Sequence, residues 1–447
     1  MSTTGLNLNS TTASQGTGID VTAIVDQIIT AEQAPERLWQ QQQATLTVQA
    51  ASLNSLSSGV NALKDKIFAL GDLSGAFAGQ TVTSSQPSLV TASAQPGTAT
   101  GVHTLVVNHL ATVSSYYTDP VTTGSTLAHG TFTLGVGQGS NVVTIDSSND
   151  TVDKLASYIN SNNYGVTASV ISDANGSRLA LVSKTSGLPG DVNVTANNTG
   201  LVFHKSVAGV DAGFSLDGIP LTSTTNTVSA PLPGVTLNLL GASPGTPVTI
   251  SVAPDTAGIT QAINDFVSAY NSSIRSVNSQ FATAADGTAG PLASNSALRS
   301  LQSSLLSDVT YSITGNNGIV NLASLGVDLQ DDGTLKVDNT KLSSALSNQF
   351  TSVQNFFQSV NTGSFGANFS SDLRSITDAG AGLLSLNLSE NSAGQKQLTR
   401  QINDLEDRLV NRRTFLISQY SQVDAMLRQY PVLIQQIQTQ LATLTSK

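Results

Sequence analysis

The chain has 447 residues, room for about three domains, with 11% charged residues, no cysteine and a net charge of −10. Nucleic acid and anionic membrane surfaces are poor partners for it, because their phosphates must be met by Lys and Arg. Only 19 such residues are present, with none between Lys66 and Lys154 or between Lys205 and Arg275. The lack of cysteine removes disulfides, thiol catalysis and iron–sulfur clusters, and no apolar run approaches the ~18 residues that mark a bilayer span.

Residues 1–18 are polar, contain glycine and show no apolar period. They read as disordered in isolation, and they lack the basic and apolar regions of a secretory signal. Ile19, Val21, Ile24, Val25, Ile28 and Ile29 then mark a helical face with Asp20 as its N-cap. Pro35 interrupts or restarts that helix. A heptad run follows, with Leu46, Leu53, Val60 and Ile67 seven apart and Leu56, Leu63 and Leu70 three further on, closed by Gly71.

From about Gln80 to Pro254 the pattern changes to short alternating runs rich in Thr, Val, Gly and Asn. Strands are expected around 104–107, 131–134, 141–145, 165–171, 178–183, 192–194, 236–240 and 248–252, with one helix over 152–160. Beyond Asp255 helical spacing returns: Ile259, Ile263, Phe266, Val267 and Tyr270 form one face, and Leu298, Leu301, Leu305 and Leu306 another. A hairpin is expected over 327–337, turning at Asp332-Gly333, then a helix over 342–357. The C-terminus carries the longest period, with Ile402, Leu409, Leu416, Val423, Tyr430, Ile437 and Leu444 at seven-residue steps. The companion positions Leu405, Arg412, Gln419, Met426, Leu433 and Gln440 are mixed, so the seam is diluted. Pro431 is expected to kink this helix.

The pattern is therefore α+β and multidomain: a coiled-coil-like helical stalk formed by both termini, with an inserted antiparallel β head of two small domains. The expected parts are a leg segment over 1–42, the stalk over 43–79 and 255–392, and a C-terminal leg helix over 393–447. Between them lie one head domain over 80–112 and 203–254 and an inserted second domain over 113–202. An assembly seam is assigned to Ile24, Ile28, Leu46, Leu53, Val60, Ile67, Ile402, Leu409, Leu416, Val423, Tyr430, Ile437 and Leu444. Stripes this thin do not hold long helices on their own, so both ends are expected to become ordered on meeting a partner.

Three motifs suggest chemistry and fail on mechanism. Gly241-Ala242-Ser243-Pro244-Gly245 fits a nucleophile elbow, but Pro244 has no N–H for an oxyanion hole. Gly135, Gly137 and Gly139 are not followed by the Lys-Ser/Thr of a phosphate loop. The run Asp328 to Gly333 begins like a calcium loop, but its twelfth position is Asn339, not a bidentate Glu. His103 and His109 share a face of an extended run, with His129 and His204 far off in sequence, short of a zinc set. Neither an enzyme nor a bound cofactor or metal is expected.

Several stretches together resemble one family. Gly18 to Val21, Ile24 to Ile29 and Ala31 to Pro35 resemble the N-terminal signature of the bacterial flagellar hook-associated protein 2 family, the filament caps. Phe214 to Leu221, Thr225 to Val228, Gly234 to Leu239 and Phe266 to Asn271 resemble its later signature, and Leu325 to Val327 with Asp332 to Leu335 its hairpin. Residues 151–187, with Ala156, Ile159-Asn160, Gly165-Val166 and Arg178-Leu179, are similar to a small repeat shared with some flagellins. The resemblance implies a non-enzymatic structural subunit at the distal tip of the flagellar filament, secreted through the flagellar type III export apparatus with a cytoplasmic export chaperone. It implies a ring homo-oligomer that retains exported flagellin, promotes its folding and insertion, and meets the hook-filament junction proteins. Other readings of the same pattern are another axial flagellar protein, or a surface adhesin or fibre with a β-rich head.

Overall fold

The computed structural model describes residues 19–283, 287–358 and 363–445, with side chains as far as Ala442. Two helices open it, α1 (Val21–Glu32) and α2 (Ala34–Gly71). The strands β1 (Gln80–Ser84), β2 (Val90–Ala94), β3 (Gly101–His109), β4 (Val113–Thr118), β5 (Gly130–Val136) and β6 (Gly139–Ile145) precede α3 (Val152–Asn162). Then come β7 (Val166–Asp173), β8 (Gly176–Ser186), β9 (Val192–Thr195), β10 (Phe203–Val207), β11 (Ala212–Leu216), β12 (Ile219–Ser223), β13 (Thr227–Val228), β14 (Val235–Leu239) and β15 (Val248–Pro254). The C-terminal part holds α4 (Thr256–Phe281), α5 (Ser296–Val309), the hairpin β16 (Val327–Leu329) and β17 (Leu335–Val337), α6 (Asn339–Asn348), α7 (Phe350–Gln358), α8 (Phe365–Thr377) and α9 (Leu383–Thr445).

These elements form two compact units. One takes residues up to Phe68, Asn264–Leu342 and Asn355 onward; the other takes Ala69–Ile263 and Ser343–Gln354. The second unit contains two β cores. In the first, a five-stranded sheet ordered β1-β15-β3-β11-β12 and a three-stranded sheet β13-β14-β2 share a core that includes Val90, Leu105, Phe214, Leu237 and Ile250. In the other, the sheets β10-β4-β8-β7 and β6-β5-β9 share a core with α3 built on Phe132, Leu155, Ile159, Leu179 and Val192. Neighbouring strands throughout run antiparallel, so short turns connect many of them. The β11–β12 turn is Asp217-Gly218, with φ of 49° and 82°, the left-handed pair a two-residue hairpin requires.

The other unit is mainly helical. Leu53, Val60 and Leu63 of α2 and Phe266, Tyr270 and Ile274 of α4 are buried. Five phenylalanines (266, 356, 357, 365 and 369) pack ring against ring, Phe266 meeting Phe369 edge-on at 5.5 Å and Phe356 stacking on Phe365 at 5.0 Å. The β16–β17 hairpin is tied to α4 through its backbone. Tyr270 donates its hydroxyl to the Gly333 carbonyl (3.1 Å), Asn278 donates to Asp332 O (3.0 Å), and Asn271 both donates to and accepts from Leu335. These bonds satisfy groups that a wider sheet would otherwise pair.

Several expectations are corrected. The helix expected over 342–357 is two helices, because the chain breaks at Gln349, whose carbonyl accepts the first N–H groups of α7. Helix α8 adds an element beyond those expected, and α9 begins at Leu383 rather than near 393. β10 pairs with β4, so the inserted sheet runs on to Val207 instead of ending at 202. The strands β1, β2, β4 and β10 to β13 carry no clear alternation, because Ser, Thr and Gly occupy many of their positions and blur the apolar period. Pro431 lies inside α9, as its place in the heptad run leads one to expect. The reading of residues 1–18 falls outside the described residues.

Candidate functional site

The two terminal helices meet along one face. Asp20 starts α1 by accepting the Ala23 N–H (3.0 Å), and α1 stops at Glu32, one residue before α2 restarts with Pro35 in its first turn. Val25 and Ile29 pack against Leu405, Leu409 and Leu416 of α9, with Val21, Ile28, Trp39, Ile417 and Tyr420 around the rim. Polar contacts frame this seam. Arg413 donates through Nε (3.1 Å) and Nη2 (3.0 Å) to Asp26 Oδ1, and Arg412 Nε lies 3.6 Å from Glu32 Oε1. The Ile19 N–H donates to Asp424 Oδ1 (2.8 Å), whose other oxygen accepts from Arg428 (2.8 Å). A cavity of about 580 Å³ opens where the α1–α2 junction passes α9, lined by Ala31, Pro35, Leu405 and Leu409 with Arg408 and Arg412 at its edge.

Past Asp424 the character of α9 changes. Val423, just before it, and Met426, Leu427, Tyr430, Leu433 and Ile437 after it are 44–66% exposed. Ile434 is exposed on the same face, whereas the exposed Val432 lies among Gln429, Gln435 and Gln436 on the other. No charged residue occurs between Arg428 and Lys447. An exposed apolar stripe of this length along one helix face marks an interaction surface. Among the described residues, nothing in the chain covers it.

The expected seam residues therefore part into groups. Leu53, Val60, Ile67, Ile402, Leu409 and Leu416 are buried within the single chain, so they are core and not a free surface. Leu46 is half-buried; Asn391 of α9 donates to its carbonyl (3.0 Å), and its side chain lies beside Gly394. Ile24 and Ile28 are only half-buried, and the buried positions are Val25 and Ile29. One residue along a helix is a rotation of about 100°, which turns the stripe named in the sequence to the rim of the seam. Val423, Tyr430 and Ile437 stand exposed, and the Leu444 side chain lies outside the described residues. Within the single chain, α1 and α9 up to Leu416 cover each other.

The Arg413–Asp26 pair is about half exposed on both sides, so solvent screens it. Arg413→Ala is expected to speed hydrogen exchange of the α1 amides by less than about 5-fold, the equivalent of ~1 kcal/mol. Exchange mass spectrometry on the full chain reads this directly.

The motifs that suggested chemistry sit in turns. Ser243 accepts the Thr246 N–H on its backbone carbonyl and bonds the Thr246 hydroxyl (2.8 Å), closing the β14–β15 connection. Gly137 lies in the β5–β6 hairpin with φ of 55°. His103 bonds Asp217 through Nδ1 (2.8 Å) and His204 bonds Asp119 through Nε2 (2.9 Å). The His103 contact and the Thr104 N–H hold the Asp217 carboxyl below its ordinary range. No group of three or more His, Asp or Glu gathers as a metal cage among the described residues, and no described helix is long and apolar enough to cross a membrane.

One electrostatic feature was invisible in the sequence. Asp308 of α5 is buried and shares a hydrogen bond with Asp372 of α8; its Oδ2 has no partner among the described residues. Burial first, then the contact with Asp372, pushes its pKa up to about 8. The Tyr270 hydroxyl is pushed up by burial and by the Asp308 charge.

Comparison with known proteins places this architecture. Residues 17–114 match the family model for the flagellar hook-associated protein 2 N-terminus and residues 209–431 that for its C-terminus. Between them, residues 131–185 match the flagellin hook IN motif. The B-type flagellar hook-associated protein 2 of Pseudomonas aeruginosa is 28% identical, with 91% of this chain and 92% of that protein aligned. The flagellar hook-associated protein 2 of Escherichia coli K12 is 27% identical over 92% of this chain and 94% of its own. The crystal structure of the D1-D2-D3 domains of the Escherichia coli flagellar cap protein FliD superposes with a TM-score of 0.56 at 24% identity. That match covers 76% of this chain and 99% of the other, and establishes the shared fold. With both terminal models matched in order around the inserted motif, the chain belongs to the flagellar hook-associated protein 2 family.

Proposed function

We propose that the protein is a non-enzymatic capping subunit at the distal tip of the flagellar filament. It works as an annular homo-oligomer that retains exported flagellin and promotes its folding and insertion. The observation that carries this reading is the uncovered apolar length of α9 beyond Asp424, in a chain that belongs to this family. A surface of that kind is stable in water only when another chain covers it. Flagellin, the hook-filament junction proteins, the type III export apparatus and a cytoplasmic export chaperone are the partners this role requires. During export, a chaperone covering the same apolar stripe would keep the chain from associating early. The agreement of both terminal regions with one family favours this role over another axial protein or an adhesin.

Two measurements test it. Electron microscopy of the purified full chain should show closed rings; tubes would favour a filament protein, and solitary particles at every concentration would refute the assignment. Deleting the gene should release monomeric flagellin into the medium and abolish swimming, both restored by the intact gene. Normal motility with lost attachment would point to an adhesin instead.

A further inference from the structure

Three asparagines far apart in the chain make one and the same contact. Asn160 donates Nδ2–H to the Ala168 carbonyl and accepts the Ala168 N–H on Oδ1, both at 2.8 Å. Asn271 does this to Leu335, at 2.8 and 2.7 Å, and Asn226 to Ala111, at 3.0 and 2.8 Å. A strand residue presents its N–H and C=O on the same side, and an adjacent strand normally offers one acceptor and one donor to them. A carboxamide offers the same pair. Each partner residue lies where a strand neighbour is missing. Ala168 is in β7, the outer strand of its sheet; Leu335 is in β17, which pairs only with β16; and Ala111 is in the link from β3 to β4.

β7 is the longest outer strand among the described sheets. It is eight residues long and contains no proline, lysine or arginine, and its Ile171 is 57% exposed. Edges of that kind recruit further strands unless something blocks them. Of the other outer strands, β12 carries Pro220 and β10 carries Lys205, whereas β1, β2, β6, β9 and β13 are shorter than β7 but hold neither proline nor a basic residue. Because hydrogen-bonding direction alternates along a strand, Val166, Val170 and Ser172 turn their backbone groups the same way as Ala168. The Asn160 side chain thus occupies the middle of the open edge. The chain positions it there by returning from α3 to β7 through Asn163 (φ 52°) and Gly165 (φ 81°).

We infer that Asn160 and Asn271 are sheet-edge plugs, that Asn226 caps the β3–β4 link in the same way, and that Asn160 specifically keeps β7 from pairing with β7 of a second copy. Cap assembly brings many copies of this head together, so an open edge would compete with the intended helical contacts. The identity of these side chains matters more than their polarity, because aspartate can accept from the N–H but repels the carbonyl oxygen.

The test uses the full-length protein. Asn160→Ala should speed hydrogen exchange at the Ala168 amide by at least ~10-fold relative to wild type. It should also convert concentrated protein to thioflavin-binding aggregates that wild type does not form. Adding Ile171→Lys to that variant should abolish the aggregates while Ala168 still exchanges fast, since a lysine on the edge blocks pairing without replacing the plug. Asn160→Asp should behave like the alanine variant at pH 7. At pH near 3.5 it should regain protection at Ala168 relative to wild type, because the protonated carboxyl can donate again. Wild-type exchange at Ala168 in Asn160→Ala, absence of aggregation, or aggregation that Ile171→Lys leaves untouched would each overturn the inference. Asn271→Ala and Asn226→Ala should expose the Leu335 and Ala111 amides respectively, and no change at those amides would remove them from the group.

Discussion

A chain carrying Leu433→Asp and Ile437→Asp is expected to remain folded and to lose assembly. Both side chains are about half exposed in the single chain, so replacing them removes no intrachain packing and leaves no cavity. In an assembled state they would be covered, and each aspartate would then carry a charge into an apolar contact, at a cost of several kcal/mol per site. Two such sites should weaken association by more than about 100-fold. Analytical ultracentrifugation should therefore find monomers where wild type forms rings, with an unchanged far-ultraviolet spectrum and an intact α1–α9 seam. Motility should be lost in a strain producing only this variant. The sharper control is Leu416→Asp, which strikes the buried seam and should loosen α1 as well. If the double variant assembled normally, the apolar length of α9 would not be the assembly surface, and the proposed mode of capping would fall with it.

The same helix shows what a sequence can and cannot disclose. Ile402, Leu409 and Leu416 obey the same seven-residue period as Val423, Tyr430 and Ile437. The period fixes a face; it does not say what lies against it. The difference arises because α1 reaches along α9 only to Asp424, where the Ile19 N–H is bound. α8 was legible in principle: Phe365, Phe369, Leu373 and Ile376 follow helical spacing and are all buried, but Gly366 and the serines around them mask it. The head was harder. β1 reads Gln-Thr-Val-Thr-Ser, and its place in the sheet depends on pairing with β15, far along the chain. The edge plugs were present in the family-like stretches as plain asparagines, and only their partners reveal their use. Asp308 looked like an ordinary polar residue late in a helix, and its significance comes from Asp372 on another helix.

That carboxyl pair makes the second large prediction. Asp308 is 2% exposed, faces Asp372 from α8 and Tyr270 from α4, and is held protonated to about pH 8 against an ordinary value of 3.8. Below pH 3.8 the carboxyl is neutral folded or unfolded, and the site costs nothing. Between about pH 4 and pH 8 the unfolded chain releases the proton and the folded chain keeps it, so stability declines as pH rises. The slope is about 1.4 kcal/mol per unit, or on the order of 4 kcal/mol from pH 4.5 to 7.5. Asp308→Asn keeps a donor for Asp372 and removes the titration. The variant should therefore be the more stable protein at pH 7.5, with the gap closing toward pH 4. Aspartates held below their ordinary range, such as Asp191 with Lys205 and Asp332 with Thr334, produce the opposite trend at low pH. They are common to both proteins and cancel in the difference. Urea midpoints of the helical signal for the two chains, taken across this range, measure it. Parallel curves would mean that Asp308 is ionised in the folded bundle; convergence toward acid would mean that the helical unit carries a neutral buried carboxyl at physiological pH and loosens as it is forced to ionise.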